Sequence, residues 1–280
     1  MRETSNPVFR SLPKTQGGYA QFGTGAAGFG AQQVHAQQYA PEYLDQQQTG
    51  VSRPLTIDDV VTKTGVTLGV LSIVAVVSYF LVSGNMALAA PFTLIGGIGG
   101  LVLVLIATFG RKQDNPAIVL TYAALEGLFL GAVSFLLTFN IQGASAGGLI
   151  SQAVLGTFGV FFGMLVVYKT GAIRVTPKFT RMLIAAMIGV VVLALGNFVY
   201  ALFTDGAGPL RDGGPIAIIF SLVCIGLAAF SFLLDFDAAD QMIRAGAPEK
   251  AAWGIALGLT VTLVWLYIEI LRLLSYFNND

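Results

Sequence analysis

The chain has 280 residues, of which 55% are hydrophobic and only 11% are charged, and its formal net charge is zero. Soluble domains carry about 25% charged residues, so this composition is not that of an ordinary soluble protein. Zero net charge gives no indication of a nucleic-acid partner. The single histidine, His35, and the single cysteine, Cys224, exclude a histidine-based metal site and an internal disulfide.

The first 55 residues differ from the rest of the chain. Residues 16–50 are rich in Gly, Gln, Ala and Tyr and contain almost no aliphatic side chains. Such a segment cannot bury enough apolar surface to offset its chain entropy, so residues 1–55 are predicted to form a disordered cytoplasmic tail. The segment lacks the pattern of a signal peptide. Residues 6–14 could form a short docking motif, although a plain tail is favoured.

Seven apolar stretches follow, each long enough to cross a bilayer. Because backbone groups in lipid must be hydrogen-bonded within their own segment, each stretch should be a helix. The sequence therefore predicts an all-α membrane protein whose domain, residues 56–280, is a seven-helix bundle. The predicted spans are 61–82, 90–109, 117–139, 149–168, 182–203, 216–234 and 251–276.

The basic residues predict the orientation of the bundle. All but two of the 15 Lys and Arg residues lie before the first span, at its edge as Lys63 does, or in the links after the second, fourth and sixth spans. The exceptions are Arg211 and Arg272. Because basic residues concentrate on the cytoplasmic side, we expect a multi-pass protein of the bacterial inner membrane with its N-terminus in the cytoplasm.

Pairs of glycines four residues apart occur in five of the seven spans. Such spacing lets two helix backbones approach closely in a membrane. The pattern predicts a tightly packed bundle. The pairs are Gly65/Gly69, Gly96/Gly100, Gly127/Gly131, Gly159/Gly163 and Gly254/Gly258.

Glu126 is the acidic residue that lies deepest within a predicted span, about nine residues into the third. A charge at the centre of a membrane helix costs about 2.5–3.5 kcal/mol on insertion scales. Glu126 must therefore be neutral, paired with a cation or exposed to a wet cavity. The alternatives are a neutral hydrogen-bonded side chain between helices and a group that handles ions or protons, and the second is favoured.

The sixth span ends in an acidic segment that contains Asp235, Asp237 and Asp240. Carboxylates that lie close together raise each other's proton affinity, and oxygen ligands suit a hard cation such as Ca²⁺. We therefore treat Asp235 and Asp237 as candidate gating and Ca²⁺-binding residues, with an exposed acidic helix end as the alternative. Asp240 is expected at the surface. Ser231 lies on the same helical face as Asp235 and is a candidate pore-lining or packing residue.

The seventh span carries a polar stripe that does not belong in lipid, so this helix should be substantially enclosed by the other six. Thr262 lies on the stripe as a candidate pore-lining or packing residue. Glu269 and Arg272 are three residues apart with the acid first, the favourable order within a helix. They are predicted to form a structural ion pair, with a secondary functional site as the alternative.

The chain resembles the Bax inhibitor-1/YccA family. The resemblance rests on the acidic end of the sixth span and on the closing segment 265–274, Trp-Leu-Tyr-Ile-Glu-Ile-Leu-Arg-Leu-Leu. The opening Ser-Asn-Pro-Val-Phe-Arg and the Leu-Glu-Gly at 125–127 resemble its actinobacterial branch. The family implies six helices around a central C-terminal helix.

The resemblance also implies a pH-sensitive calcium leak governed by two aspartates. The first, at the end of the sixth helix, matches Asp235 or Asp237. The second, midway along the seventh helix, is replaced by Thr262, whereas Arg272 keeps its match. We hypothesise that Glu126, at a similar depth, replaces the missing partner.

These features predict a pH-sensitive leak channel or exchanger for cations, Ca²⁺ or H⁺, gated by intramembrane carboxylates. The alternative is a non-conducting regulator that binds other membrane proteins, such as a membrane protease. An enzyme is not expected, because the sequence shows no nucleophile–base pair, zinc motif or phosphate-binding loop. No cofactor is expected apart from Ca²⁺ as a transported or regulatory ion.

Overall fold

A computed structural model describes residues 53–139, 141, 145–204 and 206–278. Seven α-helices, each long and apolar enough to cross a membrane, confirm the all-α prediction for these residues. The predicted disordered tail lies outside the described residues except for its last three. The helices are α1 (Ile57–Gly84), α2 (Ala89–Phe109), α3 (Pro116–Thr138), α4 (Ala146–Thr170), α5 (Pro177–Phe203), α6 (Pro215–Arg244) and α7 (Ala251–Phe277).

Several helices extend beyond the apolar spans that predicted them. α1 begins at Ile57 because Thr56 and Asp59 form a reciprocal capping box, in which each side chain bonds the other's backbone N–H. α6 continues to Arg244 instead of ending near residue 234. An apolar span marks the part of a helix that lies in lipid, whereas capping residues mark where the helix itself begins. Because α6 reaches Arg244, the acidic segment at the end of the sixth span is helical.

α7 has the largest buried share of the seven helices. It packs most extensively on α6, α1, α4 and α3. Phe232 and Phe236 of α6 meet Ile255 and Leu259 of α7 in the largest apolar cluster. The described contacts give α7 four principal neighbours, and its enclosure by all six other helices is not confirmed.

α3 lies against both α1 and α2 at two of the predicted glycine pairs. A Cβ atom added at Gly96 of α2 would lie 2.6 Å from the carbonyl oxygen of Leu125. A Cβ atom added at Gly127 of α3 would lie 2.6 Å from the carbonyl oxygen of Leu71. The pairs Gly65/Gly69 and Gly159/Gly163 face open space instead. The spacing therefore predicts close helix contact correctly at two pairs and wrongly at two others.

The start of α1 is fastened to the loop between α6 and α7. The backbone N–H of Leu55 donates to the carbonyl of Ala247 at 2.8 Å, and that of Glu249 donates to the carbonyl of Arg53 at 3.1 Å. Arg53 also forms ion pairs with Asp59 and Glu249. The hydrogen bond to Asp59 and the two acidic charges hold the pKa of Arg53 above its ordinary value.

We call this end of the bundle the basic end. It comprises the start of α1 and the links 110–115, 171–176 and 245–250. The link after α2 joins it through an ion pair of 3.5 Å between Asp114 and Lys250. The described residues of the links after α3 and α5, which are 139, 141, 145, 204 and 206–214, lie at the opposite end.

Candidate functional site

Asp235 and Thr262 meet between α6 and α7. The Thr262 hydroxyl donates a hydrogen bond of 2.7 Å to Oδ2 of Asp235. Asp235 is partly buried, and Thr262 is 7% exposed. Gly258, one turn before Thr262, leaves room beside the carboxylate, because a Cβ atom there would lie 3.9 Å from Oδ1. The structure thus joins Asp235 to the residue that stands where the resemblance implies a second aspartate.

The contact lies well inside the bundle. Asp235 is nine residues before the end of α6, and Thr262 is 11 residues after the start of α7. At 1.5 Å per residue these positions are about 14 Å and about 17 Å from the ends of α6 and α7 at the basic end. The hydrogen bond thus links two helices inside the bundle, where a carboxylate needs a specific polar partner.

Asp237 points toward α4 and does not share the site of Asp235. It accepts hydrogen bonds from the Tyr168 hydroxyl at 3.4 Å and from the Gln241 amide at 2.6 Å. The same hydroxyl donates to Asp240, which also forms an ion pair of 2.8 Å with Arg244. Except for Gln241, these side chains line a polar cavity of about 340 Å³ at the basic end. Asp237 and Asp240 therefore form an acidic mouth beside basic residues.

Glu126 faces α2. A Cβ atom added at Gly100 would lie 2.7 Å from its Oε1, so the glycine leaves the space that the carboxyl group occupies. Tyr122 lies one turn earlier on α3 and is 1% exposed. Glu126 is about 15 Å from the start of α3 and matches the depth of Asp235. The described contacts nevertheless do not join Glu126 to Asp235 or Asp237.

The tentative Ca²⁺ pair, Asp235 and Asp237, is divided between two helix interfaces. Residues two apart on a helix point about 200° apart, so one acid faces α7 and the other faces α4. Among the described residues no group of three or more His, Cys, Asp or Glu side chains could hold a metal ion. Ser231 donates to the Leu227 carbonyl and contacts the sulfur of Met187 on α5. Its position fits the packing alternative.

Glu269 forms the expected ion pair with Arg272, with a distance of 2.9 Å. It also forms a bidentate pair with Arg211, whose two terminal nitrogens each donate at 3.0 Å. Glu269 is 2% exposed. Burial disfavours the Arg211 cation, but the hydrogen bonds and charge of Glu269 hold the pKa of Arg211 above its ordinary value. One buried carboxylate thus joins two cations from α7 and the link before α6.

The sequence interpretation missed two partners of the predicted acids, Arg211 and Tyr168. Arg211 lies in a link at the opposite end of the bundle, whereas the basic residues of the other links lie at the basic end. This exceptional position was the signal that Arg211 pairs with an acid at the opposite end. Tyr168 carried no comparable signal, because a tyrosine at the end of a membrane helix is common at the interface. Its contacts with Asp237 and Asp240 depend on how α4 packs on α6.

Seven membrane-length helices with a buried polar contact between α6 and α7 define a multi-pass integral membrane protein. The chain belongs to the Bax inhibitor 1 like family, whose model matches residues 6–279. The family resemblance is therefore confirmed over nearly the whole chain. Its assignment to the actinobacterial branch stays a prediction.

A curated relative covers part of the chain. An uncharacterized protein from Chlamydia muridarum is 32% identical over 138 residues. The aligned region covers 48% of this chain and 51% of the relative, so the chain spans about half the length of the curated relative that it matches.

Proposed function

We propose that this protein is a pH-dependent cation leak pathway of a bacterial inner membrane, with its basic end in the cytoplasm and Asp235 as the gating group. The hydrogen bond between Thr262 and Asp235 carries the proposal, because it ties one titratable group to a second helix inside the bundle. A carboxylate inside a membrane helix bundle is a functional-site hypothesis by default.

The chemistry of the contact gives the sign of the pH dependence. An ionised carboxylate attracts cations, and its oxygen atoms suit Ca²⁺. The Thr262 hydroxyl orients this carboxylate but carries no charge of its own. Protonation of Asp235 removes the charge, so cation flux falls as the pH falls. With threonine at position 262, a single acid titrates in this contact.

Glu126, Asp237 and Asp240 have separate roles in this proposal. Glu126 lies at the depth of Asp235 but against α2. In this proposal it is a second titratable group, and its effect on Asp235 is indirect. Asp237 and Asp240 lie at the acidic mouth, where their charges raise the local cation concentration. Asp235 therefore controls whether ions pass, and the mouth controls how many arrive.

The test is Ca²⁺ and H⁺ flux into liposomes that contain the purified full-length protein, measured with trapped fluorescent indicators across a range of pH. Wild-type flux falls toward acidic pH. Asp235→Asn gives low, pH-independent flux, and Glu126→Gln flattens the profile. Asp240→Asn is the matched control, because its carboxylate lies at the mouth: it lowers the amount of flux but keeps the pH dependence of the wild type. A wild-type profile in folded Asp235→Asn contradicts the proposal.

A non-conducting regulator is the second candidate, and the fastening of the chain before α1 favours it. Residues 53–55 bind the loop that joins α6 to α7. A partner membrane protein that held residues 1–52 would therefore act directly on this loop. Deletion of residues 1–52 separates the two functions. A leak survives the deletion, whereas binding of a partner through the tail is lost.

A further inference from the structure

A second cavity, of about 340 Å³, lies within the membrane-spanning part of the bundle and away from Asp235. α1, α3, α4 and α7 contribute its walls, which are mostly apolar. α1 packs on α3 and α7, and α4 packs on α7 and α6, so the cavity lies in the gap between α1 and α4. Its volume falls within the range of about 300–1,000 Å³ that is typical of small-molecule sites.

The cavity is continuous with the lipid-facing surface. Val76 of α1 and Val154 of α4 form its rim and are 56% and 38% exposed. Leu263 and Val264 of α7 form its floor and are 5% and 7% exposed. In a bilayer an opening of this kind faces hydrocarbon, which has the same apolar character as the walls. The floor on α7 is therefore accessible to a lipid chain through the gap.

A pair of hydroxyl groups marks one end of the cavity. Ser134 and Tyr267 lie 2.8 Å apart, and either oxygen can be the donor. One of the two hydroxyl hydrogens is used within the pair, and the described contacts give no acceptor for the other. Ser134 is one turn from the end of α3, so the pair lies toward the opposite end of the bundle. Leu71 lies nearer the basic end, on the deeper wall of the cavity.

We propose that this cavity binds one acyl chain of a bilayer phospholipid. The ester carbonyl accepts a hydrogen bond from the Ser134–Tyr267 pair. The chain runs from there toward the middle of the membrane between α1 and α4. Along the membrane normal, the hydroxyl pair lies nearer the opposite end of the bundle and the apolar walls lie deeper. The ester and the tail of a phospholipid in the leaflet at that end follow one another in the same order.

Photocrosslinking tests the proposal. The probe is a phosphatidylcholine with a diazirine midway along one acyl chain, in nanodiscs that contain the full-length protein. Labelling is mapped by mass spectrometry. The expected result is labelled Leu263 or Val264, because their low exposure makes them accessible to lipid only through the cavity. Labelling confined to the outer faces of α1 and α4 overturns the proposal.

Matched substitutions on α4 identify the route. Val154→Trp fills the rim and reduces labelling of α7 at least fivefold. Leu155→Trp, at the neighbouring residue, which is 73% exposed and outside the cavity, leaves it unchanged. If Val154→Trp fails to fold, Ser72→Trp replaces it, with Ile73→Trp as its control on the lipid-facing side of α1. Equal labelling of α7 in the rim variant and its control overturns the proposal.

Two further arms address the ligand itself. Ser134→Ala combined with Tyr267→Phe removes both possible donors and lowers labelling of α7 about fivefold, the contribution of one ordinary hydrogen bond, and unchanged labelling would overturn the role of the pair. A free fatty acid that carries the same diazirine labels α7 more weakly than the phospholipid. If the fatty acid labels α7 and the phospholipid does not, a phospholipid is not the occupant.

Discussion

At the scale of single residues, Asp235 and Thr262 show what the sequence could and could not predict. The acidic end of the sixth span and the threonine in place of the implied aspartate were both visible in the sequence. The choice between Asp235 and Asp237 was not, because it depends on which face of α6 meets α7. The bond to Thr262 and the contact of Asp237 with Tyr168 now distinguish the two acids.

Glu126 shows a different limit of sequence analysis. Counting residues placed Glu126 about nine residues into its predicted span, and α3 begins at Pro116, ten residues before it. The same count could not give its direction, because the rotation of α3 is set by packing. The contact with Gly100 directs Glu126 toward α2, and the hypothesis of a direct pair with the acids of α6 receives no support from the described contacts.

Glu269 gives the first prediction at this scale. Glu269→Gln leaves Arg211 and Arg272 without their shared carboxylate, which is 2% exposed. Loss of one member of a buried ion pair costs about 3–5 kcal/mol, so the free energy of unfolding should fall by about this amount. Denaturant unfolding in detergent micelles measures the change.

Asp240→Asn is the matched control for Glu269→Gln. Its ion pair with Arg244 lies at the surface, and such pairs contribute about 0–1 kcal/mol. Equal stability losses in the two variants would show that the pairing of Glu269 with two cations does not stabilise the fold.

At the scale of helices, α3 owes its position to glycine. Gly127 lets α3 approach α1, and Gly96 lets α2 approach α3. Identical spacing at Gly65/Gly69 and Gly159/Gly163 faces open space, since small residues permit a close approach but do not provide the partner helix. The sequence predicted that the helices pack tightly, and the arrangement of the bundle decides which pairs take part.

Gly127→Ala tests the contact between α1 and α3. The added methyl group meets the Leu71 carbonyl at 2.6 Å and must displace α1, at a cost of about 1–3 kcal/mol. Gly69→Ala is the matched control, because it meets open space and gains helix propensity. Thermal unfolding compares the two variants. A Gly127→Ala protein as stable as Gly69→Ala would refute the close approach of these helices.

At the scale of the whole molecule, charge and hydropathy were enough to predict seven spans and two chemically different ends. Fine contacts at each end depend on residues far apart in the chain. Lys63 binds Glu249 at 2.7 Å, and Arg211 binds Glu269. These pairs were not predicted, because even where a position suggests an acidic partner, as that of Arg211 does, a single sequence does not indicate which distant charges meet.

The proposed orientation predicts which end a membrane-impermeant maleimide labels in intact cells. Single cysteines are introduced in a Cys224→Ala background, as Ala207→Cys at the opposite end and Ala172→Cys at the basic end. Both positions are exposed. Spheroplasts should label Ala207→Cys at once and Ala172→Cys only after the membrane is permeabilised. The reverse pattern contradicts a cytoplasmic basic end.

The contact between Thr262 and Asp235 is most directly tested by a double-mutant comparison of cation flux in liposomes across pH. Thr262→Val removes the hydroxyl that stabilises the ionised carboxylate, so the midpoint of the flux profile should move to higher pH. In the Asp235→Asn background the same substitution should change nothing, because no titrating group remains there. Thr260→Val is the control, since its hydroxyl bonds only the Ala256 carbonyl of its own helix. An equal effect of Thr262→Val in both backgrounds would contradict the account.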